Sequence, residues 1–140
     1  MTPFTTVEQV RGKFDLPGED DLPDAPIEQS IADAHRDVMA LIAGAHASPP
    51  VDEAIILAET YLAGAHLFRT LAAREAFDQQ RVAIGRQRVE EGARFRSLLA
   101  IAAAAEAEGW RWLAPFAEAW SSRKLARPTD SKPVLGEKPS

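Results

Sequence analysis

The chain predicts an all-α fold: a small helical bundle of about four to five helices, with an extended interhelical excursion or short hairpin and an extended C-terminal arm. Three observations carry that reading. Apolar residues recur at steps of three and four through most of residues 1–120. Alanine is abundant while β-branched residues are scarce outside a few places, a balance that favours helix. At 140 residues and 46% hydrophobic, the chain has material for one modest core. We therefore expect one helical domain over 1–120 and a separate arm over 121–140.

The elements follow in order. Thr6-Val7-Glu8-Gln9 forms a capping box, and Phe4, Val7, Val10 and Phe14 give the short first helix its apolar face. Leu16-Pro17-Gly18 ends it, and Glu19-Asp20-Asp21 with Pro23 and Pro26 makes an acidic loop. Asp24 or Ala25 opens a second helix, with Pro26 in the first turn, where its missing amide costs nothing. Ile27, Ile31, Ala34, Val38 and Leu41 line its inner face, and the helix is expected to end near Gly44. His46-Ala47-Ser48-Pro49-Pro50 reads as a linker.

From Val51 to about Ala76 the pattern is helical and apolar on more than one face, which marks the central, most buried helix. Asp52 and Glu53 fall in its first turn, where the macrodipole favours negative charge. Between Phe77 and Gly92 the periodicity breaks. Val82 and Ile84 alternate around Gly85, and we expect an extended excursion there. Helix resumes over about Glu91 to Glu108, with Phe95, Leu98, Leu99, Ala102 and Ala105 on one side and Gly109 as its stop. Pro115 opens a short last helix, and Trp110, Trp112, Phe116 and Trp120 form an aromatic anchor.

Charge is unevenly placed. Residues 1–50 hold nine acids and three bases, residues 51–120 ten acids and eight bases, and residues 121–140 five bases and two acids. The regional balances are thus −6, −2 and +3 within a net −5. A free DNA-binding domain usually has a basic body, because phosphate neutralisation supplies most of its affinity; this body is acidic. The arm holds Arg123, Lys124, Arg127, Lys132 and Lys138, and its prolines at 128, 133 and 139 disfavour helix and central-strand pairing.

Other classes find little support. The chain has no cysteine, which removes disulfides, thiolate metal sites and a thiol nucleophile. Met1-Thr2-Pro3-Phe4-Thr5 has neither a basic nor an apolar signal region, so we read no secretory signal. The longest apolar run, Leu98 to Ala105, is far short of the roughly 20 residues of a membrane span, so we expect a soluble protein with no membrane partner. His35, His46 and His66 lie in no metal-ligand spacing, there is no G-x-S-x-G, and the glycines never cluster into a phosphate loop. We expect neither catalysis nor a cofactor. Arg81, Arg86, Arg88, Arg94 and Arg96 form a cluster interleaved with Glu90 and Glu91, which reads either as a solvated face or as phosphate contacts.

In layout the chain resembles the head–tail adaptor, or head-completion, proteins of tailed bacteriophages and related phage-like particles. Five segments carry the likeness: Thr6 to Phe14, Asp24 to Ile42, the Leu57 to Leu67 stretch of a Pro-introduced long helix, Val82-Ala83-Ile84-Gly85, and Ala93 to Phe116 with its Trp-rich end. The resemblance implies a virion protein at the head–tail interface, a homo-oligomeric ring expected to be a dodecamer. Its partners would be the portal protein, a tail or stopper protein, and DNA passing through the lumen without sequence-specific binding. It implies portal docking by Arg123, Lys124, Leu125, Arg127, Val134 and Leu135. It also implies contacts to neighbouring subunits, tail or channel at Arg81, Val82, Ile84, Arg86 and Arg88, although an Arg-rich excursion departs from the acidic lining of many such channels. Two other classes stay open: a small helical-bundle ligand-binding protein or enzyme with a pocket around Tyr61, His66, Glu59 and His35, and a nucleic-acid module using Arg81 to Arg96.

Overall fold

Thr6 begins the first helix as the sequence anticipates. A computed structural model describes residues 2–79 and 85–117, with side chains described for 2–77 and 92–117. In it the Thr6 hydroxyl accepts from the Gln9 amide, and the Gln9 side chain reaches back to the Thr6 backbone, closing the capping box of helix α1 (Val7–Phe14). Asp15 ends α1 in the left-handed conformation at φ 50°, a region that aspartate tolerates better than most residues. The connection that follows is pinned by one side chain. The Arg11 guanidinium donates to the carbonyls of Pro17 and Leu22 and to Asp24 Oδ1, at 2.6, 2.7 and 2.7 Å.

Helix α2 (Asp24–Leu41) buries Ile27, Ile31, Ala34 and Val38 along one stripe. It stops earlier than the sequence suggests, at Leu41 rather than near Gly44. Ile42 leaves the helix in an extended conformation and pairs as an isolated antiparallel bridge with Ala117. The expected linker contains a 3₁₀ turn over Gly44–Ala47, and the Pro49–Pro50 bond is cis.

Helix α3 (Glu53–Gln79) is the central element. Asp52 caps it, its Oδ1 accepting from the Ala54 amide at 2.8 Å. Ile55, Ala58, Leu62, Ala63 and Leu67 are buried in the shared core with residues of α1, α2 and the last helix. Helix α4 (Gly85–Leu113) packs most extensively against α3, α2 lies on another face of α3, and α1 crosses both α2 and α3. The pairings Glu75–Arg94, Arg69–Glu106 and Leu62–Gly109 run α3 and α4 antiparallel.

Three expectations need correction. The excursion over Phe77 to Gly92 is mostly helix: α3 continues through Gln79 and α4 starts at Gly85, so Arg86 and Arg88 lie on a helix. The reason is local propensity, since Arg86-Gln87-Arg88-Val89-Glu90-Glu91 contains five good helix formers around one valine. Residues 80–84, with Arg81, Val82 and Ile84, lie outside the described residues. Gly109 does not stop its helix, which runs on to Leu113. Gly109 keeps a negative φ and serves packing instead: a Cβ there would stand 2.8 Å from Leu62 Cδ2 and 3.2 Å from the Ala58 carbonyl oxygen. Finally, the last helix at Pro115 is a single 3₁₀ turn, Ala114–Phe116. Among the described residues there are four α-helices and no strand, and no helix is long and apolar enough to cross a membrane. The all-α class stands.

Small residues on α4 let it lie close to α3. Ala102 and Ala105 are buried two turns and one turn before Gly109, respectively, and Gly64 on α3 opens space for the Phe14 ring of α1. Phe14 then meets Tyr61 and Phe68 edge-on, at centroid separations of 6.0 and 5.5 Å. Gly109→Val is expected to cost about 1–3 kcal/mol by overpacking, and Leu62→Ala about 2–5 kcal/mol by leaving a cavity. The double variant should cost less than the two single costs combined, by about 0.5 kcal/mol or more, since the added methyls enter space that Leu62 vacates. Urea unfolding of the four proteins measures this.

Candidate functional site

The densest polar cluster lies inside the molecule, where α3 carries Glu59 with no exposure to solvent. An ionised carboxyl at such depth is costly unless donors surround it. Three do. The amides of Phe4 and Thr5 donate to Glu59 Oε2 at 2.7 and 3.0 Å, and His35 Nδ1 on α2 lies 2.8 Å from Oε1. The tautomer with hydrogen on Nδ1 suits a carboxylate acceptor and leaves Nε2 as a lone pair. That Nε2 is buried with no hydrogen-bond partner among the described residues, and the imidazole meets the Phe4 ring edge-to-face at 4.9 Å.

A hydroxyl pair closes the cluster. Thr5 Oγ1 and Thr60 Oγ1 lie 2.7 Å apart and share a hydrogen bond, and each hydroxyl has a second acceptor on its own segment, Gln9 Oε1 at 3.2 Å for Thr5 and the Ile56 carbonyl at 2.8 Å for Thr60. The extended segment before α1 is thereby fixed to α3 by two amides and a hydroxyl, and Glu59 links α3 to α2 through His35. This arrangement holds chain segments together.

The four residues suggested for a shared pocket separate into three settings. His35 and Glu59 form the buried pair, while His66 Nε2 on α3 contacts Asp37 Oδ2 on α2 at 2.7 Å, half-exposed. Tyr61 packs on Phe14, with Lys13 Nζ 5.3 Å from its ring centroid. Among the described residues, no group of three or more His, Cys, Asp or Glu is placed to hold a metal ion.

Two cavities open elsewhere. A groove of about 830 Å³ runs between α1 and the first turns of α3; Glu8, Gln9, Gly12 and Lys13 form one wall, Asp52 to Leu57 the other, and Trp112 closes one side. A smaller apolar cavity of about 190 Å³ is lined by Leu41, Trp110, Leu113, Ala114 and Ala117. Both lie at the end of the bundle where α3 starts and α4 finishes.

The outer face of α4 is exposed over most of its described length. Its stripe towards α3 runs through Leu98, Ala102, Ala105, Gly109 and Leu113, and the opposite side carries Ala100, Ala103, Ala104 and Ala107 beside Leu99 and Ile101. Leu99 and Ile101, about 200° apart around the helix and so on the two flanks of that side, are 40% and 43% exposed. Trp112 is 36% exposed and has the Arg111 guanidinium 5.4 Å from its ring centroid.

Of the residues singled out from sequence, Arg94 forms a 3.5 Å ion pair with Glu75, and Arg96 is exposed. Arg86 and Arg88 fall in the first turn of α4. Arg81, Val82, Ile84, Arg123, Lys124, Leu125, Arg127, Val134 and Leu135 lie outside the described residues. Sequence reasoning named Glu59 and His35 together as members of one pocket, and they meet; it missed the Phe4 and Thr5 amides that complete the cluster and the Thr5–Thr60 hydroxyl pair beside it. The chain matches no family model, and comparison with curated proteins and with solved structures gives no significant match either.

Two outcomes test the buried and half-buried charges. Glu59→Ala strands three donors in the interior and should cost about 3–5 kcal/mol by urea unfolding. The amides of Phe4 and Thr5 should then exchange with solvent much faster in hydrogen-exchange mass spectrometry. Glu106 on α4 has its carboxyl pKa lowered, chiefly by the Arg69 hydrogen bond at 2.5 Å; burial opposes the shift, and the Trp110 indole N–H and the charges of Arg69 and His66 reinforce it. A depressed folded pKa contributes stability above the unfolded value, about 4.3 for glutamate, that is lost as pH falls through the folded value. Glu106→Gln should therefore lower Tm at about pH 7, and the difference from the parent should disappear towards about pH 2.

Proposed function

We propose that the chain is a non-enzymatic structural adaptor that assembles into a ring at the head–tail junction of a phage or phage-like particle. The observation that carries the reading is the exposed outer face of α4. An alanine-rich face lets a neighbouring helix approach closely, and Leu99 and Ile101 supply apolar area that a single chain leaves in water. A ring buries such a face on every subunit. The buried polar groups around Glu59 fit the same role, because they make the subunit a rigid block for its neighbours to dock on.

Charge supports the reading as well. DNA must slide through an adaptor, and an acidic or mixed body forms few of the counterion-releasing phosphate contacts that would hold it. In this reading the basic arm, through Arg123, Lys124, Leu125, Arg127, Val134 and Leu135, docks on the portal. The arms of a whole ring act together, each raising the effective concentration of the others. Arg86 and Arg88, at the start of α4, face subunit neighbours, tail or channel, together with Arg81, Val82 and Ile84.

The purified chain should sediment as a monomer or weak oligomer alone and form a ring when mixed with a portal protein, as seen by sedimentation velocity and electron microscopy. Deleting residues 121–140 should abolish portal docking and DNA retention in assembled particles. Unchanged assembly after that deletion would remove the arm from the proposal, and failure of the full chain to associate with any portal would remove the proposal itself.

A further inference from the structure

We infer that the groove between α1 and the start of α3 is a docking site for the chain's own C-terminal arm, with Arg123 to Arg127 as its occupant. The groove pairs an apolar floor with an acidic rim. Ile56 and Leu57 give the floor and Trp112 an apolar side, while Glu8, Asp52 and Glu53 stand on the walls against one base, Lys13. Lys13 directs its ammonium to the Tyr61 ring. A ligand suited to this groove is an extended peptide with several positive charges and an apolar side chain between them. Arg123-Lys124-Leu125-Ala126-Arg127 has that composition, and Pro128 favours extension at its end.

Position and reach agree with composition. The described chain ends at Ala117, which is held to Ile42 at the same end of the bundle as the groove. Trp112, on the groove's edge, is only five residues upstream of Ala117. From Asp52 to Thr60 the groove follows α3 for about 12 Å at helical rise. The seven residues from Ala117 to Lys124 span up to about 25 Å when extended, so the basic cluster reaches the acidic rim without strain on the bundle. The loop Glu19-Asp20-Asp21 is a denser acidic run, but the groove alone adds an apolar floor for Leu125.

This contact is independent of any ring or portal. If the adaptor reading also holds, the portal and the groove compete for one arm, and the groove keeps the arm from premature contacts.

Zero-length carbodiimide crosslinking of the full-length protein tests the inference, using an equal mixture of unlabelled and ¹⁵N-labelled chains at low salt. The expected result is a set of crosslinks from Lys124 to Glu8, Asp52 or Glu53, in peptide pairs of one isotope. They should fall several-fold at 1 M salt, where the screening length shrinks to about 3 Å. Trypsin should also cut after Arg123 and Lys124 several-fold faster in Glu8→Lys/Glu53→Lys than in the parent. Crosslinks scattered to Glu19, Asp20 and Asp21, mixed-isotope pairs that place the arm on a second copy, or equal cleavage rates in the two proteins would each overturn it.

Discussion

Glu59 must lie in a medium that disfavours its charge, and the surrounding architecture satisfies that demand. Its two oxygens collect three donors from two distant parts of the chain: the start of the sequence and the middle of α2. A buried carboxylate with its donors in place is a strong orienting device, because each lost bond strands a polar group in the interior. The crossing of α2 on α3, the path of the segment before α1 and the seat of α1 on both helices follow from meeting those bonds together. Apolar packing adds most of the driving force, as in any helical domain. The polar cluster selects one arrangement of helices that hydrophobicity alone would leave degenerate.

Much of the fold was legible in the chain. The capping box at Thr6, the stripe of α2 and the buried centre of α3 all express rules that act over one or two turns. Gly109 was misread because a glycine after a helical run usually marks a stop, and its close neighbour, Leu62, is 47 residues away. The start of α4 was misread because Gly85 and the nearby β-branched residues outweighed a good helical run that begins immediately after. Glu59 and His35 were paired from sequence, but the rest of their cluster was hidden for a related reason: the other two donors are backbone amides, which every residue carries and no motif announces. Side chains that meet across the fold cannot be found by local periodicity.

The same molecule combines a closed interior and an open exterior. At its centre Glu59, His35, Thr5 and Thr60 engage one another, with His35 Nε2 the exception, while α4 leaves apolar side chains exposed and the groove between α1 and α3 leaves acids around an apolar floor. A subunit of an assembly needs that division. The interior fixes the shape that neighbours must recognise, and the exposed surfaces remain available for contacts the isolated chain lacks.

The tether between Phe4, Thr5 and Glu59 also has a bearing on synthesis. Phe4 and Thr5 receive their acceptor only after 55 and 54 further residues have been added. At about 5–20 residues per second, that is a wait of about 3 to 11 seconds. During it α1 has a complete capping box and part of its seat on α2 but lacks α3, and a helix of eight residues is by itself far below the length that persists in water. The nascent chain therefore cannot consolidate in the order in which it emerges. Its beginning joins the fold only when the central helix arrives, so completion of α3 sets the earliest moment at which the domain can close.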